Sequence, residues 1–236
     1  MSAELDAFRG LGTATLATSM AERGYPLQFM AGLSSVGGRA SFVGYAYTMR
    51  MVPGRSDLAD EPGVDRFRWA LDEVPEDHVV VVDCMRDGRV ACFGEILVRR
   101  LVARRAAAVV TDGSVRDSAQ IGGLDIAVRT GSVNASTRGS VLCLAGTQET
   151  IACGGVAVTP GDVLVGDEDG VLVVPRVLAA DLPPAARSRA SLEEYAAMRI
   201  SQGAALRGTY PPDESTLRDY DAWATRRGAA SDGVAG

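Results

Sequence analysis

The chain contains no lysine, and all 24 of its basic residues are arginine. Without an amine side chain it cannot form a Schiff base with a carbonyl substrate or with pyridoxal phosphate. The standard phosphate-loop motif, which needs a lysine, is excluded for the same reason. Histidine is nearly absent too. The single one, His78, opens the run HVVVVD after the turn PED and reads as a strand-entry residue. One histidine cannot build a metal site of two or three histidines within one chain. It also leaves almost no room for a Ser-His-Asp triad. The four cysteines, Cys84, Cys92, Cys143 and Cys153, form no CxxC pair and read as reduced core thiols. No apolar run is long enough to span a membrane. The start, MSAELDAFRG, lacks the basic-then-apolar pattern of a leader. A cytoplasmic location with no membrane partner is therefore expected. The net charge of -6 argues against nucleic acid as a partner.

What remains is a composition of 47% hydrophobic and 23% charged residues, ordinary for a globular protein. The 236 residues are expected to form one domain, with a core over about 13–175 and a helical tail over 176–225. TATLATSMAERGY (Thr13 to Tyr25) predicts a helix stopped by Gly24. SFVGYAYTMRMV predicts a strand, PGRSDLADEPG a loop, and DRFRWALDEV a helix with Phe67, Ala70, Leu71 and Val74 as its apolar stripe. Strand and helix then alternate: HVVVVD, RVACF, the helix GEILVRRLVARR, and the strand AAVVTD. A strand-helix-strand unit of this length implies parallel neighbours with a right-handed crossover. LDIAVRTG, SVLCLAG, TIACGGVAV and DVLVGDEDGVLVVP add strands, the last a hairpin around DEDG. The tail is predicted helical, interrupted near Pro183 and Pro184, with a short helix beyond GTYPPDE that frays.

Ligands of open α/β sheets sit beyond the carboxyl ends of parallel strands. Two such ends are legible. At FGEIL, Gly94 leaves a strand and Glu95, Ile96 and Leu97 begin a helix, whose free amides and positive dipole end suit a carboxylate. At DGSVRD, Arg116 can grip a carboxylate bidentately, and Asp117 beside it can anchor a divalent cation. Glu95 can order the metal's waters or move a proton. A 2-oxo acid calls for such a set, a carboxylate clamp plus a Lewis acid at the keto oxygen. With almost no histidine, that metal is expected to be a hard, water-rich ion, Mg2+ or Mn2+. The plain alternative is a surface Arg-Asp pair closing a turn, worth at most ~1 kcal/mol.

GEILVRRLVARRAAAVVTDGSVRD resembles the signature region of the RraA-like family. That family holds 4-hydroxy-4-methyl-2-oxoglutarate aldolase and the regulator of ribonuclease activity A. TATLATSMAERG, VGYAYTMR, GGVAVTPGDVLVGDEDGVLVVP and SLEEYAAMRISQG extend the likeness from Thr13 to about Gly203. YTMRMVPGRSDL and GTYPPDE resemble the longer bacterial members. One departure is Ala106 to Ala108, standing where the family has a glycine before its Val-Val strand. The resemblance implies a compact α/β fold, a β-sandwich-like core with a mixed sheet flanked by helices and a C-terminal helical tail. It implies trimers or trimer pairs with sites between subunits.

The activity implied is metal-dependent (class II) cleavage of 4-hydroxy-2-oxo acids to pyruvate, and decarboxylation of oxaloacetate. Gly94, Glu95, Ile96 and Leu97 would bind the pyruvate part, Arg116 the 2-oxo acid, Asp117 the metal, and Glu95 its water shell. Glu194, with Glu193 as rival, matches a tail glutamate that reaches a neighbouring subunit's site; a solvated helix face is the alternative for both. The stretch with Arg50, Arg55 and Asp57 would choose the distal part of the substrate, and Arg55 reads as a surface arginine or as the partner of a second carboxylate. Two other functions stay open: a non-enzymatic regulator that docks on a ribonuclease, and a related lyase or hydratase of a specialised pathway.

Overall fold

The computed structural model describes residues 2–58, 60 and 64–232. The chain forms two compact units, Met1–Pro183 and Pro184–Gly236. The predicted loop PGRSDLADEPG falls partly outside the described residues.

The first unit opens with helices α1 (Ala3–Asp6) and α2 (Thr13–Ala21), then strands β1 (Ser34–Ser35) and β2 (Phe42–Pro53). Next come α3 (Arg66–Glu73), β3 (His78–Asp83), β4 (Ala91–Phe93), α4 (Glu95–Ala103), β5 (Ala108–Val115) and α5 (Ser118–Gly122). Six strands follow: β6 (Ala127–Val133), β7 (Leu142–Thr147), β8 (Ile151–Cys153), β9 (Val156–Val158), β10 (Val163–Gly166) and β11 (Val171–Val174). A mixed sheet runs β1-β6-β5-β3-β2-β10-β11, and β8 and β9 pair separately. The β2, β3, β5 and β6 neighbours are parallel, and so are β4 and β5, the strands that the strand-helix-strand pattern made parallel neighbours.

HVVVVD shows why this sheet is the centre of the unit. Val80 and Val82 point into the same cluster as Phe67, Leu71, Val98 and Leu101, the apolar stripes of α3 and α4. Val79 and Val81 point the other way, into a cluster with β8, β9 and the β10–β11 hairpin. A parallel strand buried on both faces needs apolar residues at every position, hence the unbroken valines. Each fully buried valine contributes about 1.5–3 kcal/mol.

Two strands share one edge of β5. Val79 to Val82 of β3 pair with Ala108 to Thr111, and Ala91 and Phe93 of β4 then pair with Ser114 and Val115. The strand predicted as AAVVTD therefore does not end at Asp112; it continues through Gly113 to Val115. A side chain at Gly113 would strike Cys84 at 2.7 Å, so glycine lets the two strands close here.

Helix α2 begins at Gly12, which has no side chain to cap it. The cap arrives from the β10–β11 turn. Asp167 accepts the Thr13 amide at 2.7 Å through Oδ2 and the Thr13 hydroxyl at 2.9 Å through Oδ1. Asp167→Ala is expected to cost about 1–2 kcal/mol, as loss of a helix cap does. Urea unfolding should show the midpoint falling with an unchanged slope; an unchanged midpoint would mean that this bond contributes nothing.

After a 3-10 turn at Arg176–Leu178, helix α6 spans Leu182–Ser201. Pro183 and Pro184 do not interrupt it. They lie in its first turn, where a missing N–H removes no helical bond. An irregular turn, α7 (Leu206–Thr209), leads to α8 (Glu214–Asp232), longer than the short helix expected. Asp213 caps α8 by accepting the Thr216 amide at 2.9 Å. Tyr195 of α6 lies 5.8 Å from Tyr220 and 5.4 Å from Trp223 of α8, ring centre to ring centre, which joins the two helices. Among the described residues no helix is long and apolar enough to cross a membrane.

Candidate active site

The carboxyl ends of β4 and β5 lie side by side, and the Arg116 amide donates to the Phe93 carbonyl at 2.9 Å. Each strand then delivers its turn to the same place. Gly94 leaves β4 in an extended conformation (φ -132°, ψ 179°) and serves as the N-cap of α4. A Cβ there would lie 2.7 Å from Asp117 Oδ2 and 2.9 Å from Arg116 Nε, so both charged groups rest directly against the glycine. Asp117 Oδ2 accepts the Glu95 amide at 3.2 Å and stands 3.4 Å from Arg116 Nε. The Arg116 and Asp117 side chains remain 41% and 39% exposed, open to a ligand.

Asp117 adopts the left-handed conformation, φ 56° and ψ 37°. Outside glycine that region is uncommon, though aspartate is among the residues that tolerate it best. It turns the carboxylate back toward α4 and starts α5 at the next residue. A surface pair closing a turn needs no third partner. Here the carboxylate also holds a helix-start amide, so the pair is joined to the Gly94 turn.

Of the other expected residues, Glu95 is in the first turn of α4, but its carboxylate is bound by Arg99 one turn along, at 2.8 Å. Ile96 is 74% exposed, and Leu97 packs partly against the core. Their amides precede the first bond along the helix, which Val98 makes to the Gly94 carbonyl. Arg50 pairs with Glu149 at 2.6 Å and Arg55 with Asp57 at 2.6 Å, both exposed, so Arg55 has its carboxylate within its own loop. Arg104, at the end of α4, donates to the Val74 carbonyl at 2.9 Å. Glu194 and Glu193 belong to α6 in the second unit, where Glu194 pairs with Arg227 of α8 and Glu193 with Arg189.

Over residues 13–173 the sequence matches the RraA-like family, Aldolase/RraA. The chain belongs to that family. A protein of Laribacter hongkongensis, provisionally named 4-hydroxy-4-methyl-2-oxoglutarate aldolase, is 33% identical over 165 residues, 69% of this chain and 95% of that one. The crystal structure of Streptomyces coelicolor RraAS2 is described as an unusual member of the RNase ES inhibitor RraA protein family. It superposes with a TM-score of 0.77 at 26% identity, covering 84% of this chain and 98% of that one. A structure from Pseudomonas syringae pv. tomato shares the fold at 24% identity, with a TM-score of 0.76 over 88% of this chain and 96% of that one.

Within this RraA-like fold, three residues to which sequence reasoning assigned no part in the site stand behind it. Asp112 is buried in β5 and accepts the Cys84 amide at 2.7 Å, together with the backbone amides of Arg86 and Gly154. It pins the turn after β3, where Met85 and Arg86 are both left-handed at φ 57°. Asn134, the residue after β6, donates to the Gly88 and Arg89 carbonyls at 2.9 and 3.1 Å and holds the far side of that turn. Cys84 is the third, and its sulfur faces Cys92.

Burial, with Asp83 adding repulsion, pushes the Asp112 carboxyl above the ordinary aspartate value. A raised folded-state value gives stability that is full below the unfolded value of 3.8 and is lost as pH rises through the folded value. Asp112→Asn is expected to abolish that decline in pH-dependent urea midpoints. Asp112→Ala, which strands buried amides, is expected to cost about 2 kcal/mol at neutral pH. A slope that survives in Asp112→Asn would assign the pH dependence elsewhere.

Proposed function

We propose that this chain is a divalent-metal-dependent lyase that cleaves 4-hydroxy-2-oxo acids to pyruvate and decarboxylates oxaloacetate. One observation carries the reading: Arg116 and Asp117 converge on Gly94 at the start of α4. Family membership and the name of the Laribacter relative support it. Among the described residues no group of three or more His, Cys, Asp and Glu side chains could hold a metal. An ion here would have Asp117 and otherwise water. That donor set fits Mg2+, which keeps several waters and needs only one or two carboxylates. When bound, such an ion supplies a Lewis acid for the keto oxygen, on which charge builds as the carbon–carbon bond breaks.

The chain's own groups do the rest. Arg116 holds the substrate carboxylate, and the amides of Ile96 and Leu97 complete its cradle at the positive end of α4. Transfer of the 4-hydroxyl proton to the water beside Glu95, or loss of carbon dioxide from oxaloacetate, breaks C3–C4 and leaves the electron pair on the pyruvate part. Glu95 then moves a proton through water to C3, which becomes the methyl group of pyruvate. The same reading includes trimers or trimer pairs with Glu194, or Glu193, supplied to a neighbouring copy's site. In that case Glu194 exchanges Arg227 for its new surroundings.

Purified protein should release pyruvate from oxaloacetate and from some of a panel of 4-hydroxy-2-oxo acids, followed by a coupled lactate dehydrogenase assay. EDTA should stop it, and Mg2+ or Mn2+ should restore it. No rate above that of the metal ion alone would sink the proposal. A second reading, a ribonuclease inhibitor, is favoured by the likeness to the Streptomyces structure. Retention of a ribonuclease by an Asp117→Ala variant, with no 2-oxo acid turned over, would select it.

A further inference from the structure

Cys84 follows the last residue of β3, and Cys92 is the middle residue of β4. Because both strands run along the same edge of β5, the turn between them returns the chain on itself. The two sulfurs stand 3.1 Å apart, in direct hydrogen-bonding contact. Both residues are buried, and the Cys84 sulfur is further enclosed by Gly113 and by the Thr111 hydroxyl. Cys143 and Cys153 are buried as well, and Cys153 contacts the Val82 carbonyl.

We propose that Cys84 and Cys92 are an oxidisable pair whose disulfide, formed by hydrogen peroxide, slows the neighbouring site. The hydrogen bond to Cys92 and burial push the Cys84 thiol well up, so Cys84 keeps its proton. Cys92, the less enclosed of the two sulfurs, reacts first. Its sulfur attacks one peroxide oxygen, the O–O bond breaks, and a sulfenic acid and one water result. The Cys84 sulfur then attacks the Cys92 sulfur and displaces hydroxide, which leaves as water with the Cys84 proton. In sum, two thiols and one peroxide give one disulfide and two waters. The resolving sulfur is already in contact, so closure outruns further oxidation.

The bond requires the sulfurs to close from 3.1 Å to about 2.05 Å. Cys84 is held by Asp112 and packed on Gly113, so β4 must give. Phe93 follows Cys92, and its carbonyl takes the Arg116 amide before Gly94 starts α4. A shift of β4 therefore moves the cradle against Arg116 and Asp117. The closure of about 1 Å at Cys92 is shared along β4 before it reaches Gly94, and the part of an ångström that arrives there is expected to cost about tenfold in rate, against a hundredfold for a full ångström.

The test uses the full chain, treated with hydrogen peroxide, quenched in acid and alkylated in denaturant. Trypsin cuts after Arg86 and Arg89, so a link would appear as the Cys84 and Cys92 peptides joined without reductant. The expected result is that joined pair, with Cys143 and Cys153 still alkylated, and a rate about tenfold lower that dithiothreitol restores. In Cys84→Ser, Cys92 should pass on to the sulfinic acid; if that variant does not fold, the map of the unaltered chain decides. Four alkylated thiols, a different pairing, or a link that leaves turnover unchanged overturns the proposal. The effect on turnover rests on the lyase reading. If the reduced protein has no lyase activity, that reading fails by itself. The joined peptides, with altered hydrogen exchange at Phe93 to Leu97, then carry the coupling, and unaltered exchange there refutes it.

Discussion

Asp117→Ala is expected to lower metal-dependent pyruvate release by about 10³-fold or more, to the level of the metal ion in buffer. The carboxylate has two duties. In the proposed mechanism it would be the protein's oxygen donor to the ion, and it accepts the Glu95 amide, which sets the start of α4 against Arg116. Alanine removes both and adds a backbone cost of ~1–2 kcal/mol, because the residue is left-handed at φ 56°. Asp117→Asn separates the causes. Asparagine tolerates the same conformation and keeps an oxygen for the Glu95 amide, but it carries no charge for the ion. The two variants should be equally inactive. Their melting temperatures should differ, Asn near the parent and Ala lower. An Asp117→Asn protein with substantial metal-dependent turnover would exclude this residue as the metal's anchor.

The layout of the sheet was legible because its signals are local. Four consecutive valines declare a strand buried on both faces, and the 3.6-residue spacing of Phe67, Ala70 and Leu71 returns as the buried side of α3, with Val74 buried just past its end. The crossover rule then made β4 and β5 parallel neighbours, enough to bring Gly94 and Arg116 together before any distance was known. What escaped depends on pairs distant along the chain. Asp167 caps a helix 154 residues away, and Asp112 reaches Cys84 across 28. Asp112–Gly113 has the composition of a turn, and only the approach of Cys84 explains a glycine inside the strand. The hold of Arg99 on Glu95 is different: a Glu four residues before an Arg on a helix is a local signal, and it was there to be read.

Gly94→Ala should separate folding from function. Glycine at this position is not required by the backbone, since φ -132° and ψ 179° are open to any residue. The restriction lies in the space in front of it. An alanine methyl would sit 2.7 Å from Asp117 Oδ2 and 2.9 Å from Arg116 Nε, too close for either to stay. Both atoms belong to exposed side chains that can swing aside, so the strain is relieved without disturbing β4 or β5. Relief moves Arg116 and Asp117, the proposed clamp and metal anchor, away from the helix start together. Turnover is expected to fall about 10²-fold, the penalty of a misplacement near 1 Å, while the melting temperature stays within a few degrees of the parent. The loss should fall mainly on kcat, because Arg116 can still pair with a carboxylate from its displaced position but cannot hold it against the ion. A Gly94→Ala protein with full turnover would show that close packing of Arg116 and Asp117 on this glycine is not what positions them. One that fails to fold would show that the two side chains cannot yield, and that Gly94 serves the sheet rather than the site.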